Sequence, residues 1–519
     1  MPLPAEGSPW PPKQMAPHYA DMAEADVWYT GDKRALAEYY GRELKRDRKT
    51  GSLADRLWAQ PVDLTQPERR VHVPIAGDIA SASTDLLFSE APTVRFENTT
   101  TQTRFDQLSE DGGLHMRLLE AAELGAALGD SYLTTVWDKD VVPDRPILTS
   151  WAGDMAIPTI RYGRLLSVVF WRELERTGDT VVRLLERHAV EQGVGFIEYG
   201  LYQGTTSSLG RRVPFTEHDD AAHIDALVDD HDRQLTGINQ LTATHIPNAR
   251  PNRKHRGHLG RSDFAAVYDE FDALDQVMTS WMRDIRLGQG RAVVPSGALQ
   301  NLGEGRGSFF DVHREIYDEL SMPPRTGEGL TVMQFGIRVE EHERTSDHLL
   351  ATIARSCGYS PSTFGLAEEG AGGRTATEVT DRKSRSISSS SRKGMYWKTA
   401  IRRISQAWLA LDAVHFKGGG DPSAAPTVEL APPETPSEET TARTLQMLES
   451  AGAISRYLMV SKQHPEWTES EIAEEVDRIN ADRGSEADPW ASASTLAGNQ
   501  LDADADDGQG EEPDPPEDE

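Results

Sequence analysis

Residues 368–379 read EEGAGGRTATEV, a glycine cluster running into a helix start, and this arrangement raises phosphate binding as a first candidate chemistry. A P-loop ends in Gly-Lys-Ser/Thr, because the lysine must reach the outer phosphates and the hydroxyl must hold Mg²⁺. Here Gly370, Gly372 and Gly373 lead only to Arg374 and Thr375, and no Gly-Lys pair occurs anywhere in the chain. A second candidate is EHDDAAHIDALVDDHD at 217–232, where His218, His223 and His231 stand among aspartates. Hydrolytic metal sites mix such ligands, but a solvated acidic loop explains the same run. HERTSDH at 342–348 is not a zincin motif, since His342 and His348 are six residues apart and fall on different helix faces. G-x-S-x-G and G-x-G-x-x-G are both absent, so neither a hydrolase elbow nor a dinucleotide fingerprint competes.

The bulk numbers narrow the choice. The chain has 519 residues, room for two to four domain-sized units. Its longest plainly apolar run, LLSVVFW at 165–171, is too short to span a bilayer, and the proline-broken start MPLPAEGSPWPPK lacks a signal core. A non-membrane protein of intracellular type is expected. Cys357 is the single cysteine, which excludes an internal disulfide and any multi-cysteine zinc site. The net charge is −30, of which residues 484–519 carry twelve Asp/Glu and no Lys/Arg, leaving −18 for the first 483. That polar, self-repelling tail is expected to be disordered. An acidic body cannot hold nucleic acid tightly by counterion release, although a nucleic acid can still pass by it.

The elements that position these residues change character along the chain. Residues 18–60 read as helical, 73–96 as a helix followed by a strand after Pro92, and 116–138 as a helix stopped by Gly129 before a β exit. Several strand-like pieces fill 147–215. From Ser262 the pattern shifts: Phe264, Val267, Phe271, Leu274, Met278, Trp281 and Ile285 recur at spacings of three and four. This heptad seam predicts a helix over 263–287, capped by Ser262 and stopped by Gly288, about 37 Å long. Short β-like pieces (RAVVPS, TVMQFGIRV) follow, and then a second helix from Val339. Its first turns hold Glu340, Glu341 and Glu343, its last turn holds Arg355, and Gly358 and Pro361 end it.

Thr375 and Glu378 form a capping box, so a new helix starts there and the glycines make a mobile inter-helix loop. Trp397, Ile401, Ile404, Trp408 and Leu411 carry that helix to about residue 416. Between 374 and 403 it has nine Lys/Arg against two Asp/Glu, a basic helix on an acidic chain. Serines 388–391 are expected against a close neighbour or solvent. The basic stretch RPNRKHRGHLGR at 250–261 is a further candidate for DNA or partner contact. Thr468 and Glu471 cap a last helix with Ile472, Val476 and Ile479.

Four segments, in this order, carry a resemblance: RRVHVPIAGDIASASTDLLFSEAPTV, ATHIPNARPNRKHRGHLGRSDFAAVYDEFDALDQVMTSWMRDI, RVEEHERTSDHLLATIARSCGYSPSTFGL with GGRTATEV, and SAGAISRYLMVSKQHPEWTESEIAEEVDRI. Over roughly 70–480 the chain resembles the SPP1-type portal proteins of tailed bacteriophages. The resemblance implies an α+β portal fold with a mixed α/β wing (1–261), a first stem helix (262–287), a small α/β clip (288–337) and a second stem helix (338–366). A tunnel loop (367–374) with Gly370, Gly372, Gly373 and Arg374 facing a DNA channel, a long wing helix and crown (375–483), and an acidic tail (484–519) would follow. It implies a non-enzymatic dodecameric ring without cofactor at one capsid vertex of the virion, assembled in the host cytoplasm. Its implied partners are double-stranded DNA passing without sequence specificity, the terminase large subunit, major capsid and scaffolding proteins, and a head-tail connector, with no membrane. The seam residues 264–285 would pack the stem. Asp263, Asp269, Glu270, Asp272, Asp275 and Asp284 would give the channel carboxylates past which DNA slides. A metal-dependent hydrolase using 217–232 remains the alternative.

Overall fold

The computed structural model describes residues 2–50, 70–255, 257–288, 291–293, 300–301, 308–309, 331–333, 336–366, 376–416, 418–421, 423–432, 438–464 and 469–485. The chain divides into a unit of residues 1–433 and a second of 434–519. No helix among the described residues is long and apolar enough to cross a membrane.

The first unit begins with α1 (Ala16–Thr30) and α2 (Lys33–Thr50). Asp32 starts α2 by accepting from the N–H groups of Arg34 and Ala35. Next come α3 (Ile75–Phe88), β1 (Thr93–Arg95), α4 (Thr99–Asp111), α5 (Leu114–Leu128) and β2 (Asp130–Val136), so the expected order of helix then strand recurs twice. Gly129 stops α5 in the left-handed region at φ 98, where a Cβ would come within 2.7 Å of the Arg261–Ser262 backbone. Only glycine satisfies both demands.

Two sheets form the β part. In the first, β2 lies between β3 (Ile147–Ala152) and β10 (Ala243–Pro247), antiparallel to both, and α5 packs on it. The second is an antiparallel meander of β4 (Ala156–Arg161), β5 (Arg164–Thr177), β6 (Thr180–Glu191), β7 (Val194–Thr205) and β8 (Arg211–Val213). The short β9 (Arg233–Leu235) pairs with β7 beyond β8. The Tyr162-Gly163 and Gln192-Gly193 turns both have positive φ at each residue, as the twist of two-residue hairpins requires.

The chain then forms α6 (Tyr268–Leu287), an insert, α7 (Val339–Cys357), and the 36-residue α8 (Ala376–Leu411), which ends in a π-helical turn at Asp412–Phe416. In the insert, β11 (Arg291–Val293) pairs antiparallel with β14 (Thr331–Met333), and β12 (Gln300–Asn301) with β13 (Ser308–Phe309). β15 (Thr427–Glu429) returns to β1. Trp397, Ile401, Ile404 and Trp408 of α8 are buried against Phe88, Phe105, Leu118 and Leu133, so this helix joins α3, α4, α5 and the first sheet in one core. Within the second unit, α9 (Glu438–Ser450), α10 (Arg456–Gln463) and α11 (Glu469–Ser485) follow, and Ser455 caps α10 at Leu458. Ile472 of α11 is buried.

The mixed α/β architecture agrees with the sequence reading; the start of α6 does not. Ser262 caps no helix. Its Oγ accepts from Phe264 N at 3.0 Å, and α6 begins at Tyr268 after an uncapped Val267. Residues 263–266 form a turn, in which the N–H groups of Ala265 and Val267 donate to carbonyls three residues back. Such a turn places Phe264 and Val267 on one side, so the three-residue spacing imitates a helix that starts later. The 20-residue α6 is therefore about 30 Å long instead of 37. The disordered tail expected over 484–519 lies outside the described residues except for Gly484 and Ser485, which are the last two residues of α11.

Candidate functional site

α6 and α7 run antiparallel, as their cross-contacts show by falling in reverse order. Asp263 meets Tyr359 at 2.7 Å, Met278 meets Ser346, Trp281 stacks on His342 with centroids 5.9 Å apart, and Asp284 meets Arg338 at 2.9 Å. The insert springs from the Asp284 end. Arg338, and then His342, hold the Asp284 carboxyl below the usual carboxylate range. α7 shows the expected charge order, with Glu340 and Glu341 in its first turn, Arg355 in its last and a left-handed Gly358 cap. His342 is buried and His348 exposed, as the separate faces of the pair require.

The seven seam residues divide along α6. Phe264, Val267, Phe271 and Leu274 are buried in a core with Trp28, Tyr40, Ile79, Ile353 and Tyr359. Met278 and Trp281 are partly covered by α7, and Ile285 is 39% exposed. The upper seam is thus part of the subunit's own core, and the free apolar surface lies at the insert end, where Ile337 and Val339 are exposed as well.

The acidic lining expected of α6 needs correction. Asp263 and Asp275 are buried. Asp275 accepts from Tyr40 OH at 2.6 Å and from Val73 N at 2.8 Å, and His72 Nδ1 lies 2.9 Å away. Asp272 pairs with Arg70, and Asp284 with Arg338 and His342. Four of the six carboxylates thus bind the helix to its own chain, leaving Asp269 exposed and Glu270 half-buried. Asp263 and Asp275, so placed, satisfy buried donors and do not line a surface, while Asp272 and Asp284 are partly exposed but paired.

The strongest polar cluster lies where α6, α7 and α8 converge. Lys393 Nζ donates to Asp263 Oδ2 at 2.6 Å, to Ser83 Oγ at 2.7 Å and to Tyr359 OH at 2.9 Å. Asn248 Nδ2 donates to the other Asp263 oxygen at 2.8 Å. Burial pushes the Lys393 ammonium below the ordinary lysine range, against the opposing pull of Asp263. The serine run completes the joint. Ser389 donates to Gly358 O and Ser390 to Leu86 O, both at 2.6 Å, and Ser386 Oγ accepts from Ser360 N at 2.8 Å. Short hydroxyl side chains let α8 approach α3 and the end of α7 closely, as expected of small polar residues facing a neighbour. Gly370, Gly372, Gly373, Arg374 and the Thr375–Glu378 box lie outside the described side chains, but α8 begins at Ala376, directly after the expected cap.

The 217–232 segment forms turns, not a ligand set. His218 caps a four-residue helix through Asp220 N, and Asp229 Oδ1 accepts from His231 N and Arg233 N. Among the described residues no group of three or more His, Cys, Asp and Glu is placed to hold a metal, which argues against the hydrolase alternative. In the basic loop, Lys254 and His255 both pair with Asp21 of α1, leaving Arg250, Arg253 and Arg261 exposed.

Sequence reasoning missed the Lys393 cluster and the Asp275 clamp. A signal existed for both. Lys393 lies four residues before Trp397 on the apolar stripe of α8, and Asp275 lies four after Phe271. A charge in a buried stripe requires a partner.

The order of elements, two antiparallel helices around a β insert and then a long helix, is that of the resemblance. The family model described as "Phage portal protein, SPP1 Gp6-like" matches residues 170–488. No curated protein matches the sequence. The match covers more than half of the chain and includes α6, the insert, α7 and α8, and the chain belongs to the SPP1-type family of phage portal proteins.

Proposed function

We propose that this portal protein acts as a closed ring of twelve subunits at one capsid vertex, through which double-stranded DNA enters during packaging and leaves during ejection. The observation that carries this reading is the family match across the helix–insert–helix–long-helix order. In this reading residues 1–261 are the wing, α6 and α7 the stem, 288–337 the clip, 367–374 the tunnel loop, and 375–483 the long wing helix and crown. The ring docks the terminase large subunit, whose ATPase supplies the packaging energy, and the head-tail connector, and it sits among capsid and scaffolding proteins. Ile285 of the seam, with its neighbours Ile337 and Val339 at the start of α7, is exposed in the single chain and left for packing between subunits.

The loop gives a test separate from the fold. Its glycines serve movement past DNA, since glycine turns through positive φ without steric penalty. Deleting Gly370–Gly373 leaves the described core untouched, so rings are expected to form with an unchanged melting temperature. Particles assembled with this variant are expected to hold less DNA or to lose it after packaging. Normal packaging by the deletion variant contradicts the tunnel-loop assignment.

A further inference from the structure

The long helix α8 has a face that the fold leaves uncovered. Its buried side carries Ser386, Ser389, Ser390, Lys393, Trp397, Ile401 and Ile404. The opposite side exposes Arg385, Arg392, Lys398, Arg402 and Arg403, with Met395 63% exposed among them. From Arg385 to Arg403 this stripe rises about 27 Å along the axis. It contains no acid, and no described carboxylate forms an ion pair with any of the five cations. On a chain of net charge −30, a five-cation stripe kept free of acids is a deliberate exception.

The same unit carries a patch of the opposite sign. Between Pro214 and His231 the chain exposes Glu217, Asp219, Asp220, Asp225, Asp229 and Asp230, with no Lys or Arg in the segment. Its backbone is fixed by Phe215, Ala221 and Ile224, which are buried under the second sheet, so the carboxylates are presented on a rigid lobe. Among the described residues no ion pair joins either patch to a group of opposite charge.

We propose that the basic stripe of α8 docks the acidic 217–230 lobe of a second copy of this chain. The proposal rests on the ring reading and names the contact that orders neighbours around it. Two different patches of one chain can join copies head to tail, and such a contact closes into a ring where the rotation between neighbours allows it. Arg and Met are the side chains enriched in such interfaces, and exposed charges of opposite sign steer the encounter and fix its register. Nucleic acid is the weaker occupant, because the stripe belongs to an acidic body that repels phosphates.

The test is a charge swap in the full-length protein, read by native mass spectrometry and negative-stain microscopy. Arg392→Glu with Arg402→Glu is expected to lower ring yield at low salt by about tenfold, as like charges set face to face do. Asp220→Lys with Asp225→Lys is expected to do the same alone and to restore rings when combined with the stripe variant. All four positions are exposed, so an unchanged melting temperature shows that the subunit is intact. The neutral pair Arg392→Gln and Arg402→Gln, expected to assemble less than wild type and more than the reversal, guards against a misfolded double glutamate. Wild-type ring yield from the stripe reversal overturns the proposal, as does a loss that the lobe reversal fails to restore. Intact rings that retain less linear double-stranded DNA at low salt would instead assign the stripe to nucleic acid. A wild-type protein that forms no ring overturns the ring reading itself, and the proposal with it.

Discussion

Phe271→Ala is expected to lower the stability of the 1–433 unit by about 3–5 kcal/mol, the cost of emptying a large aromatic site that cannot collapse. Phe271 is 1% exposed, with ring centroids of Trp28 at 5.3 Å, Phe264 at 5.9 Å and Tyr268 at 6.4 Å. Its spacing alone places it on a ring-packing seam, and loss of the ring before loss of the fold would then be expected. Its surroundings alter that order: the subunit core itself is opened, so melting temperature and ring yield fall together. Trp281→Ala is the contrasting case, because Trp281 is only partly covered and rests on His342. A smaller drop in melting temperature is expected there. Thermal melts of the two variants beside wild type decide the matter, and an unshifted melt for Phe271→Ala contradicts the described core.

Asp263→Ala is expected to cost a similar amount by a different route. It leaves the Lys393 ammonium buried with only Ser83 and Tyr359 as partners, and a buried charge stripped of its counter-charge costs about 3–5 kcal/mol. Lys393→Met, which fills the space without the charge, strands Asp263 in turn, although Tyr359 and Asn248 still donate to it. The double variant Asp263→Ala with Lys393→Met removes both charges and is expected to lose less than the two single losses together. Chemical denaturation of the four proteins forms the cycle. Strictly additive losses would show that the pair is not coupled, and the joint between α3, α6, α7 and α8 would then rest on packing and the serine bonds alone.

Much of this architecture was legible in local chemistry. The bounds of α7 follow from its acids, Arg355 and Gly358; the end of α5 from Gly129; and the course of α8 from Trp397 to Leu411. Each of these signals acts within a turn or two of the backbone it governs. What sequence alone misplaced depends on distant segments. The start of α6 is set by the Asp263 N–H donating to Ala126 O and by the close passage of Gly129, neither of which a local pattern contains. The carboxylates of α6 looked like a solvated channel wall because their partners Tyr40, Arg70, His72 and Val73 lie some 200 residues earlier. Lys393 reads as one of a run of basic residues, although its three partners come from α3, the turn before α6 and the segment just after α7. Charge counts locate a helix face; only the fold shows which charges on it are free.

Identical subunits are proposed to close into a ring around a DNA-sized hole, and that ring is directly visible. Negative-stain microscopy of the purified full-length protein, with native mass on the same sample, is expected to show rings with a central opening. Twelve subunits of 57.3 kDa would weigh roughly 690 kDa. A uniform population of 57.3 kDa monomers without rings, under conditions where the fold is intact, would contradict the account.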